Sequence, residues 1–273
     1  MKRFFMAVAL LACSVGAVNA QPLMIDFNST TQDGGPHNQA GYQAYDAGHE
    51  VAADFVTQSY SAFGTTVGVT PAWPNTTAAT VQQMIDRAVG NDDQWLGDKL
   101  DLVTDWIGID SRTANGGNGD WARDGSSDPT YMTLSLSGLP AGDYNWLSYH
   151  HDTENIWSDF QAEISVDGGA TYASLGDKQM TSSSTGGNPA ATVLYTSGDP
   201  AALPSALTTS FSANGSDDVV LRFAPFADGV DPVAVHKQFF AMNGFEVTQV
   251  PEPSSVCMLL ASLAGLGLLR KRH

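Results

Sequence analysis

From about residue 130 onward, apolar side chains recur at every second position, and this alternation restricts the fold more than any other feature of the chain. Successive residues of a strand point to opposite faces, so a period of two describes a sheet buried on one side. Met132, Leu134 and Leu136 alternate with polar neighbours, and Ser137-Gly138-Leu139-Pro140-Ala141-Gly142 supplies a turn. Tyr144, Trp146 and Ser148 alternate in the return strand, and Phe160, Ala162, Ile164 and Val166 form a further run closed by Asp167-Gly168-Gly169, a hairpin signal. Strands are also expected at Ala191–Thr196, Leu207–Ala213, Asp218–Pro225 and Lys237–Gln249, with a turn at Asn214-Gly215. Short strands punctuated by Gly and Pro in this way read as a sandwich or barrel.

The first half is less regular. Leu23–Asn28 reads as an opening strand, while Val81, Met84, Ile85, Ala88 and Val89 fall at helical spacing and predict a short amphipathic helix over Thr77–Val89. Leu102–Gly108 suits strand or helix, with strand favoured; Ser111–Asp128 and Thr181–Pro189 read as loops. The expected fold class is all-β, a jelly-roll β-sandwich with one short inserted helix, spanning residues 21–249.

Both ends of the 273-residue chain read as processing segments and are set aside from the fold. Lys2 and Arg3 precede an apolar run, Phe4 to Val18, and Val18-Asn19-Ala20 presents the small residues of a signal-peptidase site, which makes 1–20 a signal peptide. A lipoprotein signal around Cys13 is the weaker alternative, because the apolar run continues past that residue. At the other end, Pro251-Glu252-Pro253 is followed by an apolar stretch from Val256 to Leu269 and by Arg270-Lys271-Arg272. That stretch is shorter than the roughly 20 residues a stable spanning helix prefers, and its basic end obeys the positive-inside rule. It reads as a transient membrane hold beside a rigid, accessible segment.

The segment 250–273 resembles a PEP-CTERM sorting signal on these three features in order. The resemblance implies recognition near Pro251, Glu252 and Pro253 by an exosortase, and export to the cell envelope, surface or extracellular matrix of a bacterium that makes extracellular polysaccharide. Two further stretches carry fold resemblances. Leu136–Tyr144 with Ser148–Thr153 resembles an uncharacterised exported domain of environmental bacteria, and Met242-Asn243-Gly244-Phe245-Glu246-Val247 is similar to the last strand of galactose-binding-like jelly rolls. Such jelly rolls serve as sugar-binding modules and as inert spacers alike.

Charge and cysteine content narrow the chemistry. The net charge is −17, and five of the twelve basic residues (Lys2, Arg3, Arg270, Lys271, Arg272) lie in the ends, so the middle is more acidic still. Such a field repels phosphate backbones and makes nucleic acid a poor partner. The only cysteines, Cys13 and Cys257, lie in the two ends, so the central domain has no disulfide framework, thiol nucleophile or Cys-ligated zinc. The acidic loops Asp92-Asp93, Ser216-Asp217-Asp218 and Asp228 with Asp231 suit a structural Ca²⁺, although none has an EF-hand pattern.

Two constellations are candidate ligand sites. His150-His151-Asp152 reads first as structural hydrogen bonding, then as ligand contact, and last as metal or catalytic chemistry, since adjacent strand residues face opposite ways and no Gly-x-Ser-x-Gly elbow exists. The Gly-rich loop around Trp121, Arg123 and Asp124 offers an aromatic face and planar polar groups suited to a sugar ring, against the alternative that Trp121 covers the core. Trp157 makes a weaker case of the same kind. The expected function is a non-catalytic surface or matrix protein that contacts polysaccharide. A purely structural envelope or biofilm component is the alternative, and a polysaccharide-active enzyme ranks third.

Overall fold

The computed structural model describes residues 21–30, 37–48, 54–74, 82–86, 100–110, 131–152, 158–176, 179–183, 205–225 and 239–251. These form fifteen strands and one helical turn: β1 (Leu23–Ser29), β2 (Gln43–Ala47), β3 (Gln58–Ala62), β4 (Thr65–Ala72), β5 (Gln82–Asp86), α1 (Leu100–Thr104), β6 (Asp105–Asp110), β7 (Met132–Ser137), β8 (Gly142–Asp152), β9 (Ser158–Ser165), β10 (Ala173–Ser174), β11 (Gln179–Ser183), β12 (Ser205–Ala213), β13 (Val219–Pro225), β14 (Phe239–Met242) and β15 (Gly244–Gln249).

Two large layers build a jelly-roll-type sandwich. The first runs β2-β1-β15-β8-β12 and the second β3-β4-β7-β13-β9-β11, with β10 beside β9. They become continuous where β11 pairs in parallel with the end of β8, Ser182 opposite His151 and Ser183 opposite Asp152. A third, three-stranded sheet, β14-β6-β5, adds Met84, Ile107, Ile109, Phe240 and Met242 to the same core.

Alternation decides which residues enter that core. Leu23, Ile25 and Phe27 of β1, Tyr144 and Trp146 of β8, Leu134 and Leu136 of β7, and Phe160 and Ile164 of β9 all point inward. Large rings do much of the filling: Trp146 stacks on Phe245 with centroids 4.7 Å apart, and Phe223 stacks on Phe240 at 4.9 Å.

At the far edges, β2 and β3 are bridged by side chains. The Gln58 amide accepts from Asp46 N at 3.3 Å and donates to Asp46 O at 2.7 Å, and Tyr60 OH donates to Ala44 O at 3.0 Å. One glutamine therefore pairs with a strand backbone much as a peptide unit would. The β3–β4 hairpin turns on Phe63 and Gly64, both at positive φ, the geometry of a type I′ turn. Phe63 tolerates it because its ring packs edge-on against Tyr144 at 5.2 Å.

Several expectations are corrected. Within the predicted helix over Thr77–Val89, the described part is β5, with Met84 buried opposite Ile107; the rest lies outside the described residues. A lone helix of about a dozen residues is marginal, so a partner strand overrides the helical spacing. The one helical segment described is instead α1, and it takes Leu102-Val103-Thr104 out of the expected strand, leaving Asp105–Asp110 as β6. Thr181–Ser183, expected in a loop, ends β11. The closing strand over Lys237–Gln249 is two strands in different sheets, parted at Asn243. The strand at Ala191–Thr196 and the loop at Ser111–Asp128 lie outside the described residues, as do residues 1–20 and 252–273 of the processing segments. No helix among the described residues is long and apolar enough to cross a membrane.

The third sheet rests on a close backbone approach. A Cβ on Gly108 would lie 1.9 Å from the Phe240 carbonyl oxygen. Gly108→Ala is expected to part β6 from β14 and to lower stability by about 3 kcal/mol or more, read as a lower denaturant midpoint of the full chain. An unchanged midpoint would contradict this register.

Candidate functional site

His150 points into the core and is held there as a neutral ring. Its Nδ1 lies 2.8 Å from Ala241 O, which can only accept, so Nδ1 carries the proton. Nε2 then accepts from Ser148 Oγ at 2.8 Å, and Ser148 Oγ accepts from Trp146 Nε1 at 2.9 Å. The chain Trp146–Ser148–His150–Ala241 uses both ring nitrogens, and the ring packs among Phe160, Phe240 and Phe223. Burial pushes its pKa down to about 4, against the partial opposing effect of the Ala241 carbonyl.

His151 faces the other way and is equally buried. Its backbone N–H donates to Asn243 Oδ1 at 2.7 Å, and its Nδ1 lies 2.9 Å from Ser182 Oγ. Ser182 Oγ donates to His150 O at 3.1 Å and accepts from Ser205 N at 3.0 Å, which assigns the remaining proton to His151 Nδ1. Asp152 Oδ1 accepts from Trp106 Nε1 at 3.1 Å, and Trp106 stands edge-on to Phe239. The expected ligand residues His150, His151 and Asp152 thus lie wholly inside the protein at the junction of three sheets. Both ring nitrogens of His150 are engaged away from solvent, with Ser148 Oγ and Ala241 O. Trp121, Arg123, Asp124 and Trp157 lie outside the described residues. Among the described residues no three His, Cys, Asp or Glu side chains converge as a metal site. In the Ser216-Asp217-Asp218 loop, Asn214 Oδ1 accepts from the N–H groups of Ser216 and Asp217, and Asn214 Nδ2 donates to Asp217 Oδ2.

The residue that organises this junction is Asn243. Its Nδ2 donates to Asp105 O at 2.8 Å and His151 O at 3.0 Å, its Oδ1 accepts from His151 N, its own N–H donates to Tyr149 O and its carbonyl accepts from Phe27 N. Beside it, the outer side of β1 carries Asp26 and Asn28, both fully buried. Asp26 Oδ2 accepts from Gln39 N at 2.6 Å, and Gln39 Oε1 accepts from Leu102 N of α1 at 3.2 Å. Asp26 Oδ1 and both amide atoms of Asn28 have no hydrogen-bond partner among the described residues. Burial raises the Asp26 pKa to about 8, with the negative fields of Asp101 and Asp46 adding to it and the Gln39 N–H opposing.

Sequence reasoning passed over the outer face of the first sheet, where three strands form a shallow groove of about 350 Å³. Asn145 and Leu147 of β8, Thr208 and Ser210 of β12, and Glu246 and Thr248 of β15 line it in two cross-strand rows, Glu246-Leu147-Thr208 and Thr248-Asn145-Ser210. Asn145, Thr208, Ser210 and Thr248 are exposed, and Ser210 Oγ donates to Asn145 Oδ1 at 2.8 Å. Glu246 Oε1 accepts from two phenols, Tyr149 at 2.9 Å and Tyr42. Burial first, and this carboxylate second, hold the Tyr42 phenol well above its ordinary pKa. The polar positions opposite core residues were visible in the sequence as alternation; nothing in it marked them as one surface.

His150 and Asp26 give stability opposite pH dependences. His150, neutral in the fold, contributes stability that is complete above its ordinary pKa near 6.5 and is lost as pH falls toward 4, on the order of 3 kcal/mol in all. Asp26, protonated in the fold, contributes stability that is complete below 3.8 and is lost as pH rises toward 8, on the order of 5 kcal/mol. Asp26→Asn is therefore expected to be more stable than the wild type at pH 8 and to flatten the profile above pH 6.5, measured by denaturant midpoints across pH. Asn243→Ala, which orphans His151 N–H and the Asp105 carbonyl, is expected to cost about 4 kcal/mol in the same assay.

Among known proteins, the PEP-CTERM protein-sorting motif matches residues 249–272. No curated protein sequence matches the chain. A solved structure similar to it is the extracellular domain of ANXUR1 from Arabidopsis thaliana, at 8% identity and a TM-score of 0.41, covering 85% of this chain; the chain spans 49% of that structure. The terminal motif makes the protein an exported one of the bacterial cell envelope or surface, with an exosortase-type enzyme as its processing partner.

Proposed function

We propose that the β-sandwich is a non-catalytic module that contacts extracellular polysaccharide, and that the contact surface is the groove across β15, β8 and β12. The observation that carries this reading is the composition of the groove: Leu147 offers an apolar strip to the C–H face of a sugar, while Asn145, Thr208, Ser210 and Thr248 surround it with hydroxyl and amide groups on a rigid sheet. Export to the bacterial cell envelope or surface supplies the setting. The groove presents one carboxylate, Glu246.

The test is a glycan screen of the full chain, run with Ca²⁺ and with chelator, beside a Ser210→Trp variant that fills the groove from an exposed position. Binding to a defined sugar class is expected, weakened at least about ten-fold in the variant with the melting temperature unchanged. Silence across the screen, or binding indifferent to Ser210→Trp, would overturn the reading and leave a structural envelope component in its place.

A further inference from the structure

We propose that the pole of the sandwich at which β1 begins and β15 ends is a contact surface for the sorting enzyme, which meets the folded domain and the Pro251-Glu252-Pro253 triplet as one object. The inference does not depend on the groove or on its ligand.

The final strand carries the argument. The sorting motif matches from residue 249, which is also the last residue of β15, so no spacer separates fold from motif. Phe245 and Val247 are fully buried in the core, Thr248 pairs with Asn145 and Gln249 with Tyr144, and Val250 N–H donates to Asp143 O at 2.8 Å. The Gln249 amide lies against Gly142, where a Cβ would stand 2.8 Å from its Nε2, and the Tyr144 hydroxyl beneath donates to Pro140 O at 2.8 Å. Pro251 has no N–H with which to continue the ladder. The residue before a proline is itself held extended, so no flexible position stands between the last ladder bond and the triplet.

Reach decides what this means for a partner. Fully extended, three residues span about 10 Å at most. A folded domain of only about 100 residues already has a radius of gyration of about 13 Å. An enzyme whose cleft closes on the triplet therefore cannot stand clear of the end of the sandwich. Residues 251–255 alone lie between Val250 and the apolar stretch that starts at Val256, which keeps this pole within about 20 Å of the membrane while the tail is held there.

What the enzyme meets is a firm surface. Val250, Asp143 and Ser212 form one exposed row across β15, β8 and β12. Three chain connections lean on one another beside that row. Phe63 N–H of the β3–β4 turn donates to Gln21 O at 3.0 Å, a Cβ on Gly138 after β7 would stand 2.7 Å from Thr66 O, and one on Gly215 after β12 would stand 2.8 Å from Ala141 N. β1 starts beside the end of β15, Leu23 opposite Val247, so the expected signal-peptide cut after Ala20 falls at the same pole. Both segments expected to enter the membrane thus leave the domain from one end.

The test couples surface bulk to tether length. The full chain is expressed in a bacterium whose exosortase-type enzyme removes the wild-type tail, and tail loss is followed by pulse–chase. Ser212→Trp adds an indole to the Val250 row, and Ser59→Trp adds one at an exposed position of β3 in the other layer. Each is also made with a flexible Gly-Ser linker of about twelve residues between Val250 and Pro251, about 19 Å in root-mean-square length. With the native junction, Ser212→Trp is expected to slow tail loss at least about ten-fold and Ser59→Trp to leave it within about two-fold. With the linker, Ser212→Trp is expected to come within about two-fold of the linker-bearing parent. Unimpaired processing of Ser212→Trp at the native junction would overturn the inference. So would slowing that persists with the linker or is matched by Ser59→Trp, since either assigns the defect to export or folding and not to contact with the enzyme.

Discussion

The Asn243 side chain is the interaction on which the architecture turns. The layer that holds β1 and β8 meets the β14-β6-β5 sheet there, and each would otherwise leave a buried backbone group without a partner where its ladder stops. One amide bridges β6 and β8, and the backbone of the same residue bridges β1 and β8. A buried amide with every group satisfied specifies one arrangement, because any shift of a neighbouring strand leaves orphans behind. The Asn243-Gly244-Phe245 stretch then has a physical reading: the amide pins, Gly244 leaves room for the passing backbone of β1, and Phe245 returns the chain to the core against Trp146.

The same logic accounts for the unusual polarity inside the sandwich. Trp146, Ser148 and His150 follow the inward positions of β8, where the alternation rule places apolar groups, yet two of the three are polar. They are accommodated because their donors and acceptors run in series to the Ala241 carbonyl, joining β8 to β14 through side chains where the two strands share no ladder. Asp26 is the contrasting case. It is inside because β1 is covered on both faces, and it keeps its proton because the cost of burying the charge outweighs the hydrogen bond from Gln39 N–H.

How much was legible in the sequence follows from what kind of signal each part depends on. The second-half strands were readable because one face of each is buried, which writes a period of two into residues such as Met132, Leu134 and Leu136. In the first half the opening strand was readable from Leu23–Asn28, but little beyond it was. β3 turns into β4 through Phe63-Gly64 rather than an Asn-Gly pair, and β5 owes its form to a partner far away in sequence. The site was harder still. His150-His151-Asp152 attracted attention by residue type, whereas accessibility, which decides between a ligand and a core residue, depends on β11, β14 and α1 folding over it. The groove residues Thr208, Ser210 and Thr248 drew none, because scattered hydroxyls become a surface only when register aligns them.

The glutamine bridge between β2 and β3 has a bearing on life outside the cell. A protein released into a crowded surface layer meets many copies of itself, without energy-driven chaperones to separate mispaired chains. An open strand edge in that setting is a template for polymerisation. By turning the Gln58 amide onto the backbone of Asp46, the fold occupies donor and acceptor at the point where its two outermost strands face each other. Neighbouring copies are thereby denied the backbone donor and acceptor of Asp46 as a template at that seam.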